Sequence, residues 1–167
     1  TALDLKGIKV TRVTSADDML SAMVSEFTDS SLTVCCAAVS DYKPASQAEH
    51  KIKKSDEGDS LTISLEKTPD ILSTLGTLKG EENHLVGFAL ETRDGESYAK
   101  QKLIKKNASA IVLNTLGKQG VGFETDTNEV SVYTASGKTF SFPLTSKIAL
   151  GKSLLELFMS EFNLSDA

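Results

Sequence analysis

Leu32-Thr33-Val34-Cys35-Cys36-Ala37-Ala38-Val39 is an apolar run of strand length. Strands of a parallel sheet are covered on both faces, so they read as continuous apolar runs rather than as alternating ones. His84 to Leu90 and Ala110 to Asn114 repeat this pattern. One helix-like segment, at 16–27, precedes the first run, and another, at 96–107, lies between the second and the third. The alternation predicts an α/β domain with a largely parallel sheet, in which the first run is buried on both faces.

Weaker signals predict the remaining elements. They are a short strand at Ile8–Val13, a helix at Ala16–Phe27 capped by Ser15, a half-exposed strand at Leu61–Leu65, and a helix opened by Thr68-Pro69-Asp70 with Thr68 as N-cap. Strands at Glu129–Thr134 and Lys138–Phe142 follow, joined by the turn Ala135-Ser136-Gly137. The last element is a helix at Ser146–Phe162, whose apolar face comprises Ile148, Leu150, Leu154, Leu155, Phe158 and Phe162. The hairpin is expected to extend the sheet in antiparallel sense.

Composition excludes several functional classes. The 167 residues suit one domain, and a net charge of -5 disfavours a protein that coats nucleic acid. The only cysteines, Cys35 and Cys36, are adjacent, so no disulfide framework is expected and the compartment is predicted to be the cytoplasm. The sequence contains neither a signal peptide nor an apolar stretch long enough to cross a membrane.

Candidate site residues lie at or near the carboxyl end of each buried-type strand. Asp41 follows the first strand, Phe88, Glu91 and Thr92 come at the end of the second, and Asn114 comes at the end of the third. Ligands of open α/β sheets bind beyond the carboxyl ends of the strands, so these positions are predicted to meet at one site. Asp41 has three interpretations there, as a magnesium ligand, a ribose ligand or a turn cap.

Two lysine clusters have both a structural and a functional interpretation. Lys51-Ile52-Lys53-Lys54 is either a basic edge that discourages aggregation or an arm that binds phosphates. Lys102 and Lys106 lie four residues apart on a predicted helix, where they form either a solvated face or an anion site. Two such clusters in an acidic protein favour a polyanionic small ligand without identifying it.

The sequence gives little support for a zinc site, for catalytic cysteines or for a glycine-rich phosphate loop. His50 and His84 lack partners at zinc-ligand spacing, and Cys35 and Cys36 are interpreted as packing residues. The glycine-rich patterns GxGxxG and GxxxxGK[ST] do not occur. A nucleotide-binding α/β protein usually carries such a loop after its first strand, which suggests that an N-terminal segment is missing from residues 1–167.

An ordered set of motifs resembles the phosphopantothenoylcysteine synthetase (phosphopantothenate–cysteine ligase) family, of the bacterial CTP-dependent type. The blocks are Ala37-Ala38-Val39-Ser40-Asp41-Tyr42, Lys51-Ile52-Lys53-Lys54, Lys67-Thr68-Pro69-Asp70-Ile71-Leu72, Gly87-Phe88-Ala89-Leu90-Glu91-Thr92, Ala99-Lys100-Gln101-Lys102 through Lys106-Asn107, Asn114, and Gly122-Phe123 with Asp126 and Asn128. The resemblance covers nearly the whole chain and implies a Rossmann-like, mostly parallel three-layer fold.

The resemblance implies a two-step ligation with CTP and Mg²⁺. The phosphopantothenate carboxylate attacks the α-phosphate of CTP, and the cysteine amine then displaces CMP from the acyl-cytidylate. The resemblance implies that Asp41 binds the nucleotide and the metal ion, and that Lys51 binds phosphate and assists the second step. It implies that the nucleotide pocket is lined by Cys35, Cys36 and Ala37, and that the nucleotide is contacted by Phe88. Cytosine is expected to meet the backbone groups of Pro69, Asp70, Ile71 and Leu72, and the triphosphate is expected to meet Lys102 and Lys106.

The resemblance also implies partners. The family forms homodimers through strands resembling Tyr42 to Leu65, and in bacteria it is usually fused to a decarboxylase that carries FMN. The family's N-terminal part, which contributes to the phosphopantothenate site, has no counterpart here, so residues 1–167 are not expected to hold a complete acyl-activation site. Two alternative functions stay open, namely that of a non-catalytic nucleotide-binding regulatory module and that of a doubly wound nicotinamide-dependent oxidoreductase.

Overall fold

The computed structural model describes residues 6–52, 61–91, 94–115 and 125–164. Its elements in chain order are α1 (Ala16–Phe27), β1 (Leu32–Cys35), β2 (Tyr42–Pro44), β3 (Leu65–Lys67), α2 (Ile71–Leu78), β4 (His84–Glu91), α3 (Gly95–Lys105), β5 (Ala110–Thr115), β6 (Thr127–Thr134), β7 (Thr139–Ser146) and α4 (Lys147–Glu161). The predicted Lys53, Lys54, Thr92, Gly122 and Phe123 lie outside the described residues.

A five-stranded mixed sheet organises the domain. Its strand order is β1-β4-β5-β6-β7, with β1, β4 and β5 parallel and with β6 and β7 antiparallel to their neighbours. The predicted fold class, a parallel core extended by a C-terminal antiparallel hairpin, is therefore confirmed. The two crossovers place the carboxyl ends of β1, β4 and β5 along one edge of the sheet.

Helices cover both faces of this sheet. Along β4 and β5 successive side chains alternate between the faces, so Leu85 and Ile111 pack against α2, whereas Val86 and Val112 pack against α4. All four side chains are fully buried. Each of the two parallel strands thus serves two cores, which is why both read as continuous apolar runs.

Side-chain caps fix where α1 and α2 begin. Ser15 and Asp18 form a capping box at α1, as Ser15 predicts. Asp70, rather than the predicted Thr68, is the N-cap of α2, and its Oδ1 accepts a hydrogen bond from the backbone N–H of Ser73 at 2.9 Å. Thr68 instead bonds backward to Ser40, so the loop before α2 is tied to the end of the first apolar run.

Three strand predictions need correction. Residues 8–13 form no strand, and Ile8 is 62% exposed, because no described strand lies beside them to supply a ladder. The run 32–39 is a strand only at Leu32–Cys35, at the edge of the described sheet, so Val34 is 40% exposed rather than buried on both faces. The predicted strand at 61–65 forms only at Leu65–Lys67.

Helix α4 presents a narrower apolar face than predicted. Leu150, Leu154 and Phe158 are buried against the sheet, whereas Ile148 and Leu155 are mostly exposed. None of the described helices combines the length and apolar character needed to span a bilayer.

A small two-stranded sheet projects separately from the main one. Strands β2 and β3 pair antiparallel, with Tyr42 opposite Lys67 and Pro44 opposite Leu65. Tyr42 and Leu65 are each more than half exposed, as are Ile52, Leu61 and Ile63 in the adjoining segments. We call β2, β3 and the adjoining residues 45–52 and 61–64 the arm. The arm leaves these apolar side chains exposed to solvent.

Candidate functional site

A cleft of about 1110 Å³ lies at the carboxyl ends of β1 and β4. It is bounded by the segment 9–13, helix α1, the strand ends and the start of α2. Its lining contains eleven of the residues predicted for the site, namely Cys35, Cys36, Ala37, Asp41, Pro69, Asp70, Ile71, Leu72, Phe88, Lys102 and Lys106. The predicted Lys51, Glu91 and Asn114 do not belong to this lining. The topology thus brings together residues that are up to 71 positions apart in the chain, from Cys35 to Lys106.

Backbone contacts hold the two loops of the cleft together. The N–H of Thr68 donates to the carbonyl of Asp41 at 3.0 Å, and the Thr68 hydroxyl donates to the carbonyl of Ser40. The pairing of Tyr42 with Lys67 continues the contact into the arm. Asp41 and the turn that begins at Pro69 are therefore fixed relative to each other.

Lys102 lies in the last turn of α3 and lines the cleft. Its ammonium group donates to the carbonyl of Phe88 at 2.8 Å. Burial and the nearby Lys106 charge lower the pKa of Lys102, whereas the carboxylates of Asp70, Glu91 and Asp41 oppose that shift. A partly desolvated ammonium beside a second cation is a favourable partner for an anionic ligand.

Lys106 lies one helical turn further along and contacts Asp70 directly. Its Nζ forms an ion pair with Oδ2 of Asp70, and the Lys106 side chain is only 14% exposed. Burial alone would raise the pKa of Asp70, but the hydrogen bond from Lys106 and the backbone N–H of Ser73 lower it. The Asp70 carboxylate thus occupies the anion position beside the lysine pair.

Gly76 and Asn107 support this arrangement, and sequence reasoning gave neither of them a structural role. The Asn107 side-chain amide donates to the Gly76 carbonyl at 2.8 Å, with Asn107 in the left-handed region at φ 47°. A Cβ on Gly76 would fall on the carbonyl oxygen of Lys106. The sequence feature that could have indicated this contact is the glycine itself, since a glycine inside a predicted helix often marks a close approach of two backbones.

Asn114 is the penultimate residue of β5, at the same edge of the sheet and opposite Leu90 of β4. Its Oδ1 is buried and has no hydrogen-bond partner among the residues that the structure describes. Buried acceptors are normally satisfied, so this oxygen is a candidate contact for a ligand donor. Asn114 does not belong to the lining of the cleft.

Lys51 is exposed and follows the arm strand β2 without reaching the cleft. Since Lys53 and Lys54 lie outside the described residues, the predicted phosphate-binding arm stays a prediction. His84 stacks on Phe162 with ring centroids 4.4 Å apart, which gives it a packing role. The described ranges contain no group of three or more histidine, cysteine or acidic residues arranged for a metal ion.

The two cysteines are predicted to react at very different rates. Burial, reinforced by Cys36 and opposed by Lys102, raises the pKa of the Cys35 thiol to about 11, whereas Cys36 is exposed. Because the thiolate is the nucleophile, roughly one Cys35 in a thousand is reactive at pH 8. Iodoacetamide at pH 8, followed by mass spectrometry, should modify Cys36 first. The Cys36→Ser variant should react at least about tenfold more slowly; equal rates for the two thiols would show that Cys35 is accessible and ionised.

Comparison with known proteins identifies relatives that match most of the chain. The family model of the DNA/pantothenate metabolism flavoprotein C-terminal domain matches residues 1–161. The Coenzyme A biosynthesis bifunctional protein CoaBC of Vibrio cholerae is 40% identical over 151 residues, which are 90% of this chain and 38% of that protein. The chain thus spans well under half of this relative's length.

Solved structures agree with this match. The C-terminal domain of a Coenzyme A biosynthesis bifunctional protein CoaBC has a TM-score of 0.73 and 33% identity, and the match covers 93% of this chain and 66% of that one. A Cab2 mutant in complex with phosphopantothenate-cysteine shares the fold, with a TM-score of 0.60 and 21% identity over 86% of this chain and 51% of that one. These matches confirm the resemblance seen in the motifs: the chain belongs to the family of DNA/pantothenate metabolism flavoprotein C-terminal domains.

Proposed function

We propose that the protein containing this chain joins 4′-phosphopantothenate to cysteine with CTP, as a step of coenzyme A biosynthesis. One observation carries the proposal: the lysine pair Lys102 and Lys106 converges with the strand end at Cys36 and the turn at Pro69 in one cleft. That combination offers a wall for a base and two cations for phosphates, which suits a nucleoside triphosphate. The family relatives named for coenzyme A biosynthesis support the same assignment.

The reaction divides into activation and aminolysis. A carboxylate oxygen of phosphopantothenate bonds to the α-phosphorus of CTP, and the bond to the pyrophosphate leaving group breaks. The amine of cysteine then attacks the acyl carbon, loses a proton, and expels CMP with the former carboxylate oxygen. Activation is needed because a carboxylate is a poor acylating agent, and catalysis then rests on positioning and charge neutralisation.

The cleft residues divide this work. Lys102 and Lys106 would contact the triphosphate, and their positive charge would stabilise the negative charge that accumulates on the departing pyrophosphate. Backbone groups at 69–72 would contact cytosine, with Phe88 and the residues Cys36 and Ala37 beside the nucleotide.

Asp41 is the residue that fits a magnesium ion. Magnesium in triphosphate sites is held by one or two carboxylates together with substrate phosphates, so a lone exposed carboxylate at the cleft suffices. Asp41 also lies close enough to Lys102 to influence the pKa of this lysine, which supports the proposed role of Asp41 beside the phosphates. When bound there, Mg²⁺ would neutralise phosphate charge.

Two partner proposals accompany this function. The exposed apolar side chains of the arm, among them Tyr42, Ile63 and Leu65, favour a homodimer that covers them. Since the relative named CoaBC is a bifunctional protein and this chain spans 38% of it, an attached decarboxylase that carries FMN is the proposed second half. We place the whole protein in the cytoplasm.

The test uses the full-length protein that contains this chain, called the parent below, together with CTP, phosphopantothenate and cysteine. Pyrophosphate release and amide formation in equal amounts are expected. A regulatory nucleotide-binding module would bind CTP without releasing pyrophosphate, and a nicotinamide oxidoreductase would instead change nicotinamide absorbance. No pyrophosphate with any nucleotide would overturn the ligase proposal.

Lys51 provides a residue-level prediction. Lys51→Gln in the parent should lower amide formation by about 10²-fold, because the proposed role of this ammonium is to assist the second step. Lys152, an exposed lysine of α4, supplies a matched control, and Lys152→Gln should leave the rate within twofold, roughly the wild-type value. Unchanged amide formation in Lys51→Gln would refute the role assigned to Lys51.

A further inference from the structure

The Asp70 carboxylate makes two separate contacts, one with each oxygen. Oδ1 accepts from the Ser73 N–H and caps α2, whereas Oδ2 pairs with the ammonium of Lys106. The Lys106 side chain is 14% exposed and that of Asp70 is 54% exposed, so the cation is the more desolvated member of the pair. Capping needs only the first contact.

The second contact places a negative charge inside the lining of the cleft, directly beside the lysine pair. Lys102 and Lys106 are one turn apart on α3, where like charges repel each other. Lys102 donates to the neutral carbonyl of Phe88, whereas Asp70 contacts Lys106 directly. Glu91 and Asp41 also act on Lys102, so among the described residues Asp70 is the carboxylate that offsets this repulsion through a direct contact with the pair.

We propose that Asp70 is the counter-ion of Lys106: its carboxylate holds this lysine when no ligand is bound and competes with the polyphosphate ligand for it. A triphosphate that contacts both lysines brings several negative charges next to the Asp70 carboxylate. Lys106 must then be shared with the ligand or leave Asp70 altogether. Asp70 therefore weakens polyphosphate binding and favours release of the product pyrophosphate. The proposal rests on the proposed function, since it takes polyphosphate as the ligand of this cleft.

Asp70→Asn separates this role from capping. Asparagine is as good an N-cap as aspartate, so α2 should keep its start while the negative charge is lost. Asp17→Asn is a matched control, because Asp17 forms an ion pair with Lys43 at 2.5 Å but does not line the cleft. Asp70→Ser, in which a hydroxyl replaces the cap, is the second variant should Asp70→Asn fail to fold.

The experiment is titration calorimetry of the full-length parent with inorganic tripolyphosphate. Asp70→Asn should bind about threefold to tenfold more tightly than wild type, while Asp17→Asn should bind within about twofold of it. In the Lys106→Gln background the gain from Asp70→Asn should disappear, as expected for two residues that act through one contact. Equal or weaker binding by a folded Asp70→Asn protein, a gain that persists without Lys106, or no binding by either protein would each overturn the proposal.

The ligase assay on the wild-type parent distinguishes the two levels. Amide formation together with unchanged tripolyphosphate affinity in Asp70→Asn would refute the counter-ion role and leave the proposed function standing. Tighter binding by Asp70→Asn with no amide formation would refute the ligase and keep the counter-ion role for another polyphosphate ligand.

Discussion

Lys102→Gln in the full-length parent should lower kcat/KM for CTP by about 10²- to 10³-fold, the usual effect of removing one charged donor from a developing negative charge. Lys102 is partly buried, as Lys106 is, and its Nζ lies 2.8 Å from the carbonyl of Phe88, a residue of the same cleft. Glutamine can keep a hydrogen bond to that carbonyl, so the fold should survive while the charge is lost. Initial rates of pyrophosphate release at varied CTP measure the effect.

Lys105 provides the matched control for this substitution. It lies on the same helix and carries the same charge, but it is exposed and does not line the cleft. Lys105→Gln should leave kcat/KM within about twofold of wild type. Similar losses in the two variants would mean that the overall charge of α3 matters rather than the position of Lys102, and would contradict the site described above.

Gly76→Ala should lower the free energy of unfolding by about 3 kcal/mol, even though alanine favours helices over glycine by about 1 kcal/mol. The new Cβ would meet the backbone carbonyl of Lys106, which is a rigid neighbour, so α2 and α3 would have to separate. That movement would also strain the hydrogen bond from Asn107 to Gly76. Urea denaturation followed by circular dichroism measures the change.

Gly151 supplies the opposite expectation from the same substitution. It lies in α4 with no atom within 4 Å of a built Cβ, so Gly151→Ala should raise the free energy of unfolding by about 0.5 to 1 kcal/mol. A Gly76→Ala protein as stable as wild type would show that α2 and α3 do not approach as closely as described.

The parts of the fold that follow from local pattern were predictable. β4 and β5 read as buried runs because each faces two helix layers, and Ser15 with Asp18 marks the start of α1. The convergence of Asp41 and Phe88 also follows from parallel topology, since Asp41 lies in the loop after β1 and Phe88 in the second half of the neighbouring β4. These inferences need only periodicity and connection rules.

Other features depend on tertiary contacts that no local pattern contains. Ile8 to Val13 reads as a strand, yet a strand requires a partner, and the described sheet places none beside it. Thr68 satisfies every local rule for an N-cap, but its hydroxyl bonds Ser40, which leaves Asp70 as the cap. The pairing of Asp70 with Lys106, 36 positions apart, depends on the close approach of α2 to the C-terminal end of α3, which the fold brings about.

The central claim, that the parent activates a carboxylate as an acyl-cytidylate, is tested most directly by isotope transfer. Phosphopantothenate labelled with ¹⁸O in its carboxylate would be converted by the full-length parent with CTP and cysteine, and the nucleotide product would be analysed by mass spectrometry. One ¹⁸O atom per CMP is predicted, because the carboxylate oxygen leaves on the cytidylate. Label in inorganic phosphate with CDP as the nucleotide product, or unlabelled CMP, would contradict the account.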